Sequence, residues 1–316
     1  MQFPSCRRLG ALAAGVAWSS AAALAVSGAP ASAQSPPADQ LLISAARTES
    51  AAFLQYNGYA AEADRTGRTN LADVWRTVAK VEHQDHWTGE VTTAGFYSAT
   101  DNLANLKLAI TQARQTAQQD RAFAAKKPNS SAAQVLRQVA ARETHDASLL
   151  SEALRAAEGT GSIPAAPAVT KVKVVSSPQP KFSGTFYNDL TSGSSSALEQ
   201  AAWLWAEYQY IGQTAVDTGQ ANLAALLGGL ENQEAQQNWE QIANVAGYVN
   251  GNASNLTSSI ASEAGAIQMY TNFAQQATTD GNPTIASMFN DVKGDEQGHH
   301  ATFTAELKQV KSGRGR

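Results

Sequence analysis

Residues 285–303 read Ile-Ala-Ser-Met-Phe-Asn-Asp-Val-Lys-Gly-Asp-Glu-Gln-Gly-His-His-Ala-Thr-Phe. Apolar residues recur at Ile285, Phe289, Val292 and Phe303, and Glu296 and His299 fall on the same steps of four and three. That is an amphipathic helix with two polar groups on the face meant for the core. Two other segments share the anomaly: Leu256, Ile260, Glu263, Ile267, Tyr270, and Leu223, Leu226, Leu230, Glu234, Gln237. Three helices therefore aim a glutamate inward. Burying unpaired carboxylates costs several kcal/mol each, so a cation, protons or water must share the space.

Working outward, the chain repeats itself. Thr66-Gly-Arg-Thr-Asn-Leu-Ala-Asp matches Thr218-Gly-Gln-Ala-Asn-Leu-Ala-Ala, 152 residues on, and the match runs without a gap to Trp87 and Trp239, pairing Glu82 with Glu234. Farther along, Asn102-Leu103 pairs with Asn255-Leu256, Asn129 with Asn282 and Glu143 with Glu296, each 153 residues apart. An internal duplication follows. Each copy divides into four helical segments, at about 39–64, 70–93, 101–126 and 131–157, then 195–217, 220–247, 253–279 and 283–310, separated by Gly-, Pro- and Asn-containing breaks. The short first and third joints favour antiparallel neighbours, and the middle joint, roughly ten residues at about 3.3 Å each, could serve as a crossover. Between the copies, Pro164, Pro167, Pro178 and Pro180 mark a linker, in which the alternating Val169-Thr-Lys-Val-Lys-Val could form a short edge strand.

Alanine, leucine and glutamine dominate the long segments, so the expected class is all-α. A net charge of −4 gives no reason to expect a nucleic-acid partner. Arg7-Arg8, an apolar run from Leu9 to Val26, and Ala31-Ser32-Ala33 before Gln34 form the pattern of a secretory signal. The expected location is secreted or periplasmic, and the arginine pair hints at twin-arginine export. The apolar run is broken by Gly15, Ser19 and Ser20, so no stable membrane insertion is expected. The one cysteine, Cys6, lies in that signal, which excludes a disulfide framework or a rubredoxin-like iron site in the mature chain. No hydrolase triad, phosphate loop or dinucleotide fingerprint stands out.

The first copy repeats the inward acids with different losses. Leu42, Ala46, Glu49, Phe53 and Tyr56 put Glu49 on the first seam; Val74, Val78, Glu82 and Asp85 put two acids on the second; Leu136, Val139, Glu143, Asp146 and Leu150 put two on the fourth. The third helix has no acid from Asn102 to Gln119, and Ile110 stands where Glu263 stands in the second copy. A Glu-x-x-His pair with glutamates from neighbouring helices makes an oxygen-rich pocket suited to iron or manganese, with zinc a further candidate.

At these residues the chain resembles the rubrerythrin branch of the ferritin-like family, Leu41 to Ala52 looking like its first helix and Asp295-Glu-Gln-Gly-His-His-Ala like its fourth. The resemblance implies two tandem ferritin-like four-helix bundles joined by the Pro-rich linker: signal 1–33, first bundle 34–158, linker 159–184, second bundle 185–311, basic tail 312–316. It also implies two irons held by a glutamate from the first helix, Glu-x-x-His from the second, a glutamate from the third and Glu-x-x-His from the fourth, and reaction with peroxide or oxygen, or iron storage. Carried over, the first copy supplies Glu49, Glu82 with Asp85 for histidine, nothing on the third helix, and Glu143 with Asp146 for histidine. The second supplies Ala201 in place of the first glutamate, then Glu234 with Gln237 for histidine, Glu263, and Glu296 with His299. Glu199 and Glu207 flank Ala201 but point away from the seam, and His86, one turn beyond Glu82, leaves a shifted ligand set open.

The leading expectation is thus an exported metal-binding protein with a mononuclear or asymmetric site of Glu234, Glu263, Glu296 and His299 in the second bundle and a more degenerate set, Glu49, Glu82, Asp85, Glu143 and Asp146, in the first. Binding or sequestration is the expected role; oxidant scavenging, a rubrerythrin-like peroxidase or ferroxidase activity, would need paired irons as the resemblance implies, and the chain supplies no rubredoxin-like donor. The alternative is a non-enzymatic helical scaffold or stress protein with vestigial sites. A third arrangement has the half-sites facing each other, or a second molecule, and sharing ligands. Expected partners are metal ions, with homo-oligomers or bundle-on-bundle packing beside them.

Overall fold

A computed structural model describes residues 37–192 and 195–313. The segment expected to be a secretory signal, with Cys6, and Arg314 and Arg316 lie outside the described residues. The described chain is helical: α1 (Ala38–Arg65), α2 (Thr69–Val81), α3 (Thr88–Thr93), α4 (Asn102–Lys126), α5 (Ser131–Ala157), α6 (Thr185–Thr191), α7 (Ala197–Asp217), α8 (Ala221–Gln233), α9 (Glu240–Ala246), α10 (Asn252–Thr279) and α11 (Pro283–Lys311). Helices α2 and α3 are one rod joined by a π-helical turn at Glu82–Trp87, and α8 and α9 are joined likewise by Glu234–Trp239. Local chemistry sets the helix ends. Asp101 accepts from the Ala104 N–H at 3.0 Å and Ser130 from the Ala133 N–H at 3.1 Å, each satisfying an otherwise orphaned donor. Gly67 and Gly219, at φ 74° and 75°, end α1 and α7 in the left-handed conformation that glycine adopts without strain.

The packing partners are the main departure from expectation. Helix α1 and the α2–α3 rod pack with α10 and α11, while α4 and α5 pack with α7 and the α8–α9 rod. Each four-helix group therefore takes one helix pair from each half of the sequence, and 34–158 and 185–311 do not each close a bundle of their own. Paired hydrogen bonds mark the exchange: Asn252 Nδ2 donates to Thr66 Oγ1 and Asn102 Nδ2 to Thr218 Oγ1, both at 2.7 Å. Trp75 Nε1 also donates to Ser259 Oγ at 3.1 Å.

The cause is joint length. A bundle closed within one half needs a crossover running back along the second rod, and 26 residues (221–246) span about 39 Å at 1.5 Å each. The joint from Gly247 to Gly251 has five residues and reaches roughly 17 Å at most. Its chain must leave for the neighbouring group, and the 94–101 joint does the same in the other direction.

The two groups meet along α1 and α7, where Phe53 stacks on Trp205 at 4.2 Å and Trp87 meets Trp203 edge-on at 6.2 Å. The aromatic residues of α7 thus serve as core and contact packing. Gly58 makes a close approach that needs glycine: a Cβ there would lie 2.8 Å from the Trp239 ring. Gly58→Ala should therefore destabilise the fold by about 1–3 kcal/mol, read as a lower urea midpoint.

The linker forms no strand among the described residues. Its donors go to the second rod, Val172 N–H to the Gln236 carbonyl at 3.0 Å and Lys181 N–H to the Ala246 carbonyl at 2.9 Å.

Candidate metal centre

Six candidate ligands converge inside the α1, α2–α3, α10, α11 group. Glu49 comes from α1, Glu82 and His86 from the π turn, Glu263 from α10, and Glu296 and His299 from α11. They form two overlapping sets, Glu49, Glu82, His86, Glu296 and Glu82, Glu263, Glu296, His299, each with one donor atom per residue within 4.8 Å of the others. Glu82 and Glu296 belong to both. His86 Nδ1 lies 3.0 Å from Glu82 Oε2 and 3.5 Å from Glu296 Oε1, while His299 Nδ1 lies 3.2 Å from both Glu82 Oε1 and Glu296 Oε2. Two tyrosines orient the outer carboxylates. Tyr56 donates to Glu263, and the Tyr270 hydroxyl bridges Glu49 at 2.5 Å and Glu90 at 2.7 Å, donating its one proton to one carboxyl and accepting from the other. The second Glu90 oxygen, Oε2, has no partner.

Without a cation, the charges balance by holding protons. Burial, then the Glu296 and Glu82 charges, push the Glu49 carboxyl well above its ordinary range, and burial does the same to Glu263 and Glu90. Burial disfavours charge on His86 and His299, but the surrounding carboxylates outweigh it, holding His86 far above its usual value and His299 at about 9. Burial likewise disfavours charge on Glu296, yet its contacts with Glu263, His299 and His86 keep it ionised far below the usual carboxylate range. Four carboxylates and two imidazoles around two shared positions fit a pair of divalent transition ions, which would take over the charge that these protons neutralise.

Several expectations change. Asp85 is exposed and faces away from the cluster, and His86 takes the inward place. The π turn is the reason: its wider i→i+5 winding adds a residue, so the position that shares a face with Glu82 moves from i+3 to i+4. Gln237 shifts outward similarly, accepting the Thr170 N–H at 3.2 Å, and Asn238 faces inward instead. Glu234 does not join Glu263, Glu296 and His299; it lies in the other group with Glu143 and Asp146. The third-helix register also moves. Asn105 closes onto Ser98 and Asn255 onto Asn250 through matching pairs of 2.7–2.8 Å bonds, so the two helix starts are 150 residues apart. Glu263 then corresponds to Ala113, not Ile110. Sequence reasoning missed Glu90 and the roles of Tyr56 and Tyr270. The signal for His86 was there in the i+4 spacing of Glu82-His-Gln-Asp-His.

The second cluster has other chemistry. Asn238 Nδ2 donates to Glu143 Oε1 at 2.9 Å and Glu234 Oε2 at 3.0 Å, and Gln233 Nε2 donates to Asp146 Oδ2 at 2.5 Å. Arg142, a cation already in place, donates to Asn238 Oδ1 at 2.6 Å. Burial raises Glu143, Asp146 and Asp120, and brings Glu234 to about 7. With amide donors aimed at the carboxylates and no imidazole among them, this set fits a proton-linked polar network and not a paired-iron site.

Glu199 and Glu207 do leave the α7 seam, turning into the contact with α1 near Arg47. Burial raises both to about 8, although Arg47 pulls the other way.

Fold and cluster together define a helical-bundle protein with a buried carboxylate–histidine centre. Residues 254–315 match the family model described as Rubrerythrin. That stretch covers nearly all of α10 and α11, the pair supplying Glu263, Glu296 and His299. Neither the curated proteins nor the solved structures include a match.

Proposed function

We propose that this chain, an internal duplication exported from the cell, is a rubrerythrin-type metal protein whose one working centre is built by both halves. Glu49, Glu82, His86, Glu263, Glu296 and His299 would hold two divalent ions, iron before manganese or zinc given the mixed imidazole and carboxylate donors. The observation that carries this reading is the sharing of Glu82 and Glu296 between two four-residue donor sets. Two bound ferrous ions, each oxidised to ferric, would supply the two electrons that take peroxide to water or oxygen to peroxide.

The chain's own residues provide a buried, water-poor chamber and orient its donors. Tyr270 fixes Glu49 and Tyr56 fixes Glu263, and Asp295 Oδ2 lies 3.3 Å from His86 Nε2, setting the ring so that Nδ1 faces the cluster. Export rests on the Arg7-Arg8, apolar-run and Ala31-Ser32-Ala33 pattern; no helix among the described residues is long and apolar enough to cross a membrane. For the Glu143, Asp146 and Glu234 cluster the scaffold reading is favoured, because Asn238 and Gln233 already give one oxygen of each carboxylate a donor and Arg142 holds Asn238 in place, while Glu143 Oε2, Asp146 Oδ1 and Glu234 Oε1 have no partner.

Elemental analysis after loading with iron, manganese and zinc tests the proposal. About two metal ions per chain are expected, with iron-loaded protein consuming peroxide; protein that retains no metal and shows no thermal shift would sink it.

A further inference from the structure

The cluster is buried, yet His86 also lines an open cleft of about 710 Å³ between the first π turn and α11. Three acids, Asp85, Asp291 and Asp295, line the same cleft, and no lysine or arginine does. All three are exposed, the Asp295 side chain at 60 %. The inner end of the cleft is chemically distinct from its rim. The His86 side chain is 2 % exposed; its Nε2 faces Asp295 in the cleft at 3.3 Å, while its Nδ1 faces Glu82, Glu49 and Glu296 inside. One ring thus spans the wall between water and the buried donors.

We propose that this cleft is the access route for divalent cations to the centre, with Asp85 and Asp291 gathering the ion at the rim and Asp295 passing it to the outer edge of His86. The inference rests on the metal reading above and adds how the ion arrives. A concave surface lined by one sign of charge raises the local concentration of the opposite ion and speeds its capture by about ten- to a thousandfold, an advantage that salt screens within a Debye length of about 10 Å. The exposure of Asp85, which removes it from the ligand set, is what this role requires.

The test is rapid mixing of the metal-free full-length protein with Co²⁺ at low ionic strength, following the absorption of the coordinated ion and the final stoichiometry. Asp85→Asn/Asp291→Asn touches no proposed ligand. It should slow loading about tenfold while leaving the final Co²⁺ content unchanged, and the difference from wild type should close in about 0.5 M salt. Asp217→Asn/Asp280→Asn removes the same charge elsewhere and should load at the wild-type rate. Equal rates in the cleft variant and wild type would overturn the route, as would equal slowing in the control. A lower final Co²⁺ content in the cleft variant would make the aspartates ligands instead, also overturning it. Failure of the wild type to take up Co²⁺ would reject the metal reading itself, and the route with it.

Discussion

Glu82→Ala, in the first half of the sequence, and Glu296→Ala, in the second, are each expected to abolish metal binding altogether. Each carboxylate belongs to both donor sets of one cluster, so losing either removes a donor from both positions at once. The loss should appear as elemental content falling from about two ions per chain to none, and as disappearance of the thermal shift on adding metal. Glu143→Gln and Glu234→Gln, in the amide-linked network, should leave the content unchanged. The pattern separates this architecture from two bundles each closed within one half of the chain, where Glu82 and Glu296 would serve different sites and each variant would spare the other's metal. Retention of one ion in both single variants would contradict a centre shared between the halves.

Metal-free protein should become more stable as pH falls from about 8 to about 6.5. Glu199 and Glu207 have folded-state values of about 8, while in the unfolded chain they ionise near 4.3. Between those values the folded state binds more protons than the unfolded one, so stability falls as pH rises. The pair could contribute about 1–3 kcal/mol per pH unit. His299, raised to about 9, adds the same sign, since the stability it contributes below its unfolded value of about 6.5 is lost as pH climbs through 9. Below about 6.5 His83 opposes the trend, because burial lowers it to about 4 and the fold must keep it neutral. Thermal unfolding at several pH values, with and without metal, reads this directly. Bound metal should remove the part arising from the carboxylate–histidine cluster and leave the part from Glu199 and Glu207, which lie at the α1–α7 contact. A midpoint that rises between pH 6.5 and 8 would overturn the assignment of buried, protonated acids.

Much of the fold was legible because its determinants are local. Steps of three and four placed Glu49, Glu82, Glu143, Glu234, Glu263, Glu296 and His299 on buried faces, and all but His299, which is half-buried, are almost fully enclosed. Asp85 misled because the seam was extrapolated with α-helical winding through a π turn; no residue in Glu82-His-Gln-Asp-His-Trp forbids an ordinary α-helix there. The Asn102 to Asn255 pairing misled because Asn-Leu occurs twice near the start of α4 and once near that of α10, and only the Asn105 and Asn255 bonds to the preceding loops fix the register.

By itself the sequence determined that the chain is helical and that acids face inward, since periodicity and turn chemistry act over a few residues. Only the tertiary structure decided which acids share a chamber. A joint of five residues cannot run back along a 39 Å rod, so the helix pairs change partners. Two ligand sets that look incomplete within each half then join as one centre, and their losses fall together in the other.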